Sequence, residues 1–282
     1  MKKLLLTVFI CCTQILLSQE KKDSIPKKWS VVGKLTFLLN QSSFSNWTAG
    51  GSNTIAGNVG VNYDFNYKKK NWNWDNKVIT NYGLSYIDEQ GIRKTDDRFE
   101  YNTLLGLKAK KYWFFSFLSN FKTQYTKGYN YKVEPHITVS DFFAPAYWSF
   151  GPGMLWKKSD NERVNIAPAT ARYTFVSKQF SGKYGVEEGE TSNLGLGFSL
   201  SAYFKYTIMN DVTMENILAV YSDYLNVPKN FDIDYQLNFF VKINEYLSMN
   251  LGFHTIIDDN ASSKVQFKEV FGLGINYLFH QK

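Results

Sequence analysis

Strict alternation of apolar and polar residues governs most of the chain. From Thr54 to Tyr67 the odd positions are Ile55, Gly57, Val59, Val61, Tyr63, Phe65 and Tyr67. The even positions are Thr54, Ala56, Asn58, Gly60, Asn62, Asp64 and Asn66. Successive side chains of a strand point to opposite faces, so this segment has one greasy face and one wet face. The same pattern recurs in Leu194–Ile208 and in Phe231–Asn244. This period predicts twelve strands, at about 29–40, 54–67, 72–87, 99–109, 112–125, 147–156, 164–176, 192–208, 212–224, 231–243, 246–257 and 265–279. Most reach the ~9–11 residues that a tilted strand needs to cross a bilayer. Pro152 and Pro168 interrupt the sixth and seventh, because proline cannot donate to a ladder.

The connections alternate as well. Lys68–Asn71, Lys110–Lys111, Met209–Asp211 and Asn244–Glu245 are tight, and Lys157–Arg163 is somewhat longer. Gln41–Asn53, Asp88–Arg98, Thr126–Ala146 and Ser177–Thr191 are long. Short turns on one side and long loops on the other are the habit of a bacterial transmembrane barrel, with the turns in the periplasm. The expected fold is therefore all-β: a transmembrane antiparallel β-barrel of about twelve strands, spanning residues 29–282. A soluble sandwich also alternates, but its outward face is the polar one, and it would have to collect all these aromatic stripes into a single core.

Residues 1–18 are a separate object. Lys2 and Lys3 precede a short apolar run, Leu4–Leu17, and Ser18–Gln19 offers a cleavage point. That is the pattern of a secretory signal peptide, leaving 19–28 as a periplasmic N-terminal segment. A lipoprotein leader is disfavoured, because Cys11 and Cys12 lie inside the apolar run and Ile10 is too large to precede a lipidated cysteine. Both cysteines leave with the leader, so the mature chain has no disulfide, thiol nucleophile or cysteine metal site. No apolar run of membrane-helix length follows it.

Composition changes the picture little. The mean hydropathy is −0.31, which suits a barrel because lipid-facing residues alternate with polar ones. The chain carries 19 Tyr and 23 Phe, spread throughout. Its formal charge of +7 forms no basic stripe, so nucleic acid is not an expected partner. The expected partners are outer-membrane lipids, the barrel assembly machinery and a small polar solute. An amphipathic last strand ending in Tyr277 and Phe279 resembles the recognition signal of that machinery.

Three stretches carry a wider resemblance. They are Asn40-Gln41-Ser42-Ser43-Phe44-Ser45-Asn46-Trp47-Thr48-Ala49-Gly50-Gly51, Phe143-Ala144-Pro145-Ala146-Tyr147 and Val265-Gln266-Phe267-Lys268-Glu269. On these the chain resembles, over its mature length, an uncharacterised outer-membrane barrel family catalogued only as a domain of unknown function. The resemblance implies a barrel and supplies no reaction or catalytic residue.

Candidate chemistry is sparse. Gly-x-Ser-x-Gly, His-Glu-x-x-His and phosphate-loop signatures are absent. Of three histidines, His280 is near the end, His136 is in the longest loop, and His254 faces the lumen by parity, with Asp258 and the neighbouring Lys268. A His–Asp pair beside a lysine has the parts of an acid/base site, but a hydrogen-bonded wall residue is the plainer expectation. Asp223, Asp232, Asp234 and Asp258 should gather near the outer mouth. They lack the turn glycine and closing Glu of a calcium loop, so no metal or other cofactor is expected. An attracting vestibule, or a salt-bridge cluster with Lys268, fits them better. Phe44 and Trp47 beside Gly50 and Gly51 could form an external aromatic platform or fold over the rim. Lumen-facing charges of both signs come in near-equal number, which argues against strong ion selectivity. Glu269 faces lipid by parity and is expected just beyond the apolar band.

The expected function is a passive channel or narrow pore for small solutes in the outer membrane. Its rivals are a closed structural or surface-recognition barrel and a lipid or saccharide hydrolase; the first two involve no enzymic activity.

Overall fold

The computed structural model describes residues 28–43, 52–226 and 230–281. Its strands are β1 (Trp29–Ser42), β2 (Thr54–Lys69), β3 (Trp72–Ile87), β4 (Gly91–Lys110), β5 (Trp113–Thr123), β6 (Gly128–Asn130), β7 (Ile137–Ser140), β8 (Ala146–Ser159), β9 (Glu162–Phe175), β10 (Ser192–Met209), β11 (Val212–Asp223), β12 (Asp232–Lys242), β13 (Leu247–Asp258) and β14 (Ser262–Gln281). Twelve of them close into an antiparallel barrel in the order β1-β14-β13-β12-β11-β10-β9-β8-β5-β4-β3-β2, and β6 and β7 pair only with each other. The expected signal peptide lies outside the described residues.

The greasy face looks out. Phe115, Phe267 and Ile275 are 60%, 63% and 58% exposed, while their strand neighbours of opposite parity line the interior. Such a surface is stable only against hydrocarbon, and a closed barrel leaves no unpaired edge within it. Aromatic rings gather at both ends of the wall. Trp29, Tyr67 and Trp74 cluster on the turn side, with ring centroids 5.0 and 5.8 Å from Trp29. Phe99, Phe121 and Phe143 cluster on the loop side, at 6.2 and 5.5 Å. Girdles of this kind mark the two interfaces of a transmembrane barrel. The chain is therefore a membrane-spanning barrel. Glu269 also faces out, between the exposed Phe267 and Phe271.

Three connections differ from the sequence reading. Residues 91–98 are not loop: β4 begins at Gly91 and pairs with β3 up to Ile87. Their charged residues hide the period, yet a ladder that leaves the bilayer can meet water on both faces. The β8–β9 connection narrows to Asp160-Asn161, because Lys157 pairs with Arg163 and Ser159 with Glu162. The longest loop holds the β6–β7 hairpin. The tight turns use left-handed backbone at Lys70, Lys111 and Asp211, with φ of 53°, 50° and 62°.

Pro152 and Pro168 do not end their strands. They sit in the same irregularity, where the β8–β9 register slips between Phe150 and Met154 and ladder bonds are missing anyway. Here the backbones approach closely: a Cβ on Gly151 would lie 2.3 Å from the Ala169 carbonyl oxygen.

Closure depends on a second close approach. Gly33 is paired with Phe279 across the β1–β14 seam, and a Cβ on Gly33 would lie 1.9 Å from that ring. The Phe279 ring of the last strand thus covers the glycine of the first strand. Gly33→Val is expected to lose on the order of 1–3 kcal/mol through overpacking. Urea unfolding of the detergent-refolded protein, followed by tryptophan fluorescence, checks this; an unchanged midpoint would contradict the seam packing.

Candidate functional site

Long charged side chains from opposite walls meet inside the barrel. Lys122 on β5 donates from Nζ to Asp234 Oδ2 on β12 at 2.7 Å. In the ring, β8, β9, β10 and β11 separate these two strands on the shorter path, so the contact crosses the lumen rather than following the wall. Asp234 Oδ1 also meets His254 Nε2 at 2.9 Å. Arg98 on β4 reaches Gln236 Oε1 at 2.9 Å and pairs with Glu100. Glu100 accepts from Asn102 and Asn120 at 2.9 and 3.1 Å. Together these groups make a charged layer from β13 through β12 to β5 and β4.

Other pairs stand on either side of it. Towards the loops, Arg172 pairs with Asp232 and its guanidinium lies 3.5 Å from the Tyr221 ring centroid, while Lys268 reaches Asp96 at 2.9 Å. Towards the turns, Lys77 meets Asp64 at 3.3 Å and Lys157 meets Asp75 at 2.7 Å. Charges in a poorly solvated interior persist only when paired and hydrogen-bonded, which explains why both signs are present.

The layer does not fill the cross-section. A cavity of about 620 Å³ runs beside it, from Asp75 and Lys77 to Asp258 and Tyr184. Its free wall carries small side chains, Ser199 and Ser201 on β10 and Ala219 on β11, flanked by Tyr221 opposite Ser199 and by Tyr203 opposite Ile217. The long residues of β4, β5 and β12 thus block one side, and the short ones of β10 and β11 leave the other open.

Two loops roof the far end. Phe180, Val186, Val176 and Ala144 form a small buried core, and the Tyr184 hydroxyl donates to the Val139 carbonyl. Burial there raises the Tyr184 pKa above its ordinary value. Asp97 fixes the start of one loop by accepting from the backbone N–H of Tyr125 and Thr126 at 2.8 and 2.9 Å.

The sequence grouped His254 with Asp258 and Lys268. The structure partners His254 with Asp234 and Lys268 with Asp96. Asp258 caps its own turn through the Asn260 and Ala261 N–H groups, and Asp223 accepts from the Leu225 N–H. Asp232, Asp234 and Asp258 do line one cavity, but they take different partners: Arg172 takes Asp232 and Lys122 takes Asp234. Among the described residues no three His, Cys, Asp or Glu side chains are placed to hold a metal ion. Phe44, Trp47, Gly50 and Gly51 lie outside the described residues. Sequence reading missed Arg98, Lys157 and Arg172. Arg98 and Lys157 fall in predicted loops; the even parity of Glu100, extended back to Asp96, points to Arg98.

Residues 39–129 match the family described as a protein of unknown function (DUF3078). That stretch resembles a family catalogued without a function. It takes in Asn40–Gly51, but not the stretches beginning at Phe143 and Val265. No curated protein matches the chain. Solved structures with a similar outline include the translocator domain of autotransporter NalP from Neisseria meningitidis, at 8% identity and TM-score 0.37, covering 97% of this chain and 94% of that one. An outer membrane channel from Pseudomonas putida F1 has 7% identity, TM-score 0.41 and coverage of 94% and 100%. The outer membrane channel DcaP of Acinetobacter baumannii has 8% identity, TM-score 0.32 and coverage of 89% and 96%. Likenesses of this size say nothing about what the barrel does.

Removing one member of a buried pair leaves the other charged and unpaired, which costs about 3–5 kcal/mol, whereas replacing both with apolar groups is often neutral. Asp234→Ala is therefore expected to lower the unfolding midpoint well below that of Lys122→Met/Asp234→Leu. Urea titration of both variants beside the wild type checks the order.

Proposed function

We propose that the protein is exported to the outer membrane and serves there as a narrow, partly gated path for small polar solutes. The observation that carries this reading is the cavity that continues past the charged layer. At about 620 Å³ it falls within the ~300–1,000 Å³ range of small-molecule sites. Its charges are largely paired, which favours weak ion selectivity. The turns would then face the periplasm and the roofing loops the outside.

The layer and roof favour a second reading, a closed barrel that works through its surface. Barrels of about eight strands are filled by side chains and those of about sixteen leave an aqueous channel, so twelve is compatible with both. The hydrolase reading has less support, because Asp234 rather than a hydroxyl meets His254 Nε2.

Planar-bilayer recording separates the readings. The wild type is expected to give small, brief conductance steps, and Lys122→Ala/Asp234→Ala to give steps about twofold larger or more, since a wider water-filled lumen carries more current. Silence from both proteins would overturn the path and leave the closed barrel.

A further inference from the structure

At the turn-side end of the lumen, cations outnumber the carboxylates that could take them. Asp64 pairs with Lys77 at 3.3 Å, Asp75 and Asp160 both pair with Lys157 at 2.7 and 2.8 Å, and Glu162 pairs with Lys158 at 2.9 Å. Glu215 is held by the Tyr203 hydroxyl at 2.7 Å and by Asn238 Nδ2 at 3.3 Å. Among the described residues Arg163 is left with the Tyr203 ring, 4.5 Å away, and Lys34 with the Phe240 ring, 4.2 Å away; neither has a carboxylate within ion-pair distance. Lys205 and Lys242, which face the lumen by parity, have none either. Asp211 and Glu245 stand in the turns themselves.

Of these four cations, Arg163 lines the cavity. Two residues along the same face of β9 stands Asn165, 2% exposed and also in the cavity wall. The Ser116 hydroxyl donates to its Oδ1 at 2.6 Å, which leaves Nδ2 as the free end, and Nδ2 has no hydrogen-bond partner. A buried amide donor and a half-buried guanidinium without acceptors are costly unless something in the lumen accepts from them. Across the β9–β10 ladder Ser201 stands opposite Asn165 and Tyr203 opposite Arg163. Ser201 is small and lines the cavity too, so the space over this stretch of β9 is open. One wall of the cavity thus offers a planar cation, an amide donor and a hydroxyl, and the acids around them already have partners.

We propose that this end of the lumen is a binding site for a small solute carrying a carboxylate or phosphate group. The Arg163 guanidinium donates two hydrogen bonds to that group and Asn165 Nδ2 a third, with the Ser201 hydroxyl beside them. The planar fork of a guanidinium matches two oxygens of such an anion. Lys34, Lys205 and Lys242 stand around the same mouth and, without carboxylate partners, raise the local concentration of anions there. The paired charges of the central layer set little preference of sign, so the preference comes from this end. The role of the site in passage rests on reading the lumen as a path; its occupancy does not.

The test titrates the full protein in nanodiscs with inorganic phosphate and, separately, with succinate, at matched ionic strength, and reads binding by calorimetry. Wild type is expected to bind at least one of them saturably, and Arg163→Gln to bind it about tenfold more weakly or not at all. Ser201→Phe, whose ring fills the open space over Asn165, is expected to weaken binding as much. That variant keeps every charge and enters empty space, so it remains informative if Arg163→Gln folds poorly. Lys69→Gln, on the outer rim, is expected to bind as wild type does. No saturable binding by wild type, undiminished binding by either folded lumen variant, or equal weakening by Lys69→Gln would each overturn the site. Calorimetry needs no current. Binding by a protein that is silent in the planar bilayer would therefore remove the path and leave the site, and conductance without binding would remove the site and leave the path.

Discussion

In hydrocarbon a backbone N–H or C=O has no water to bind, so each must find its partner within the chain. A sheet meets that demand across a bilayer only by closing on itself, and the rest of this structure follows from closure. It requires the first strand to find the last, which places Phe279 over Gly33 at the seam. It also decides where proline is tolerated. Pro152 and Pro168 share one irregular stretch of the β8–β9 ladder, so the bonds each would forfeit are already absent. The aromatic clusters around Trp29 and Phe121 stand where the wall leaves the hydrocarbon and meets head groups.

Closure also sets the chemistry of the interior. Every polar residue that alternation turns away from lipid is confined to a lumen of middling width. There, long side chains from facing strands meet, as Lys122 meets Asp234 and Arg98 meets Gln236. The same crowding that pairs these charges would shut the lumen were it not for the serines and alanine on β10 and β11. The open side of the lumen is therefore set by side-chain length around the ring, not by strand number.

The fold was largely legible in the chain because period two is a local signal. Each strand's two faces can be read without knowing its neighbours, and all twelve barrel strands were found this way. The misreadings came where the signal fades. Charged residues 91–98 alternate without a greasy face, and Lys157 sits beyond an apolar stretch. Both read as loops by pattern, so Arg98 and Lys157 do not stand out as lumen charges. Parity puts Lys268 and His254 on the lumen face but does not name their partners, Asp96 and Asp234, since it tells which way a side chain points and not what stands opposite.

The sequence by itself determined that the chain makes a lipid-facing barrel with polar contents, because alternation is written residue by residue along each strand. Only the tertiary structure decided which charges cancel one another and where the cavity passes the charged layer. Those depend on distances between strands far apart in the chain, which are fixed by the stagger and closure of the whole ring.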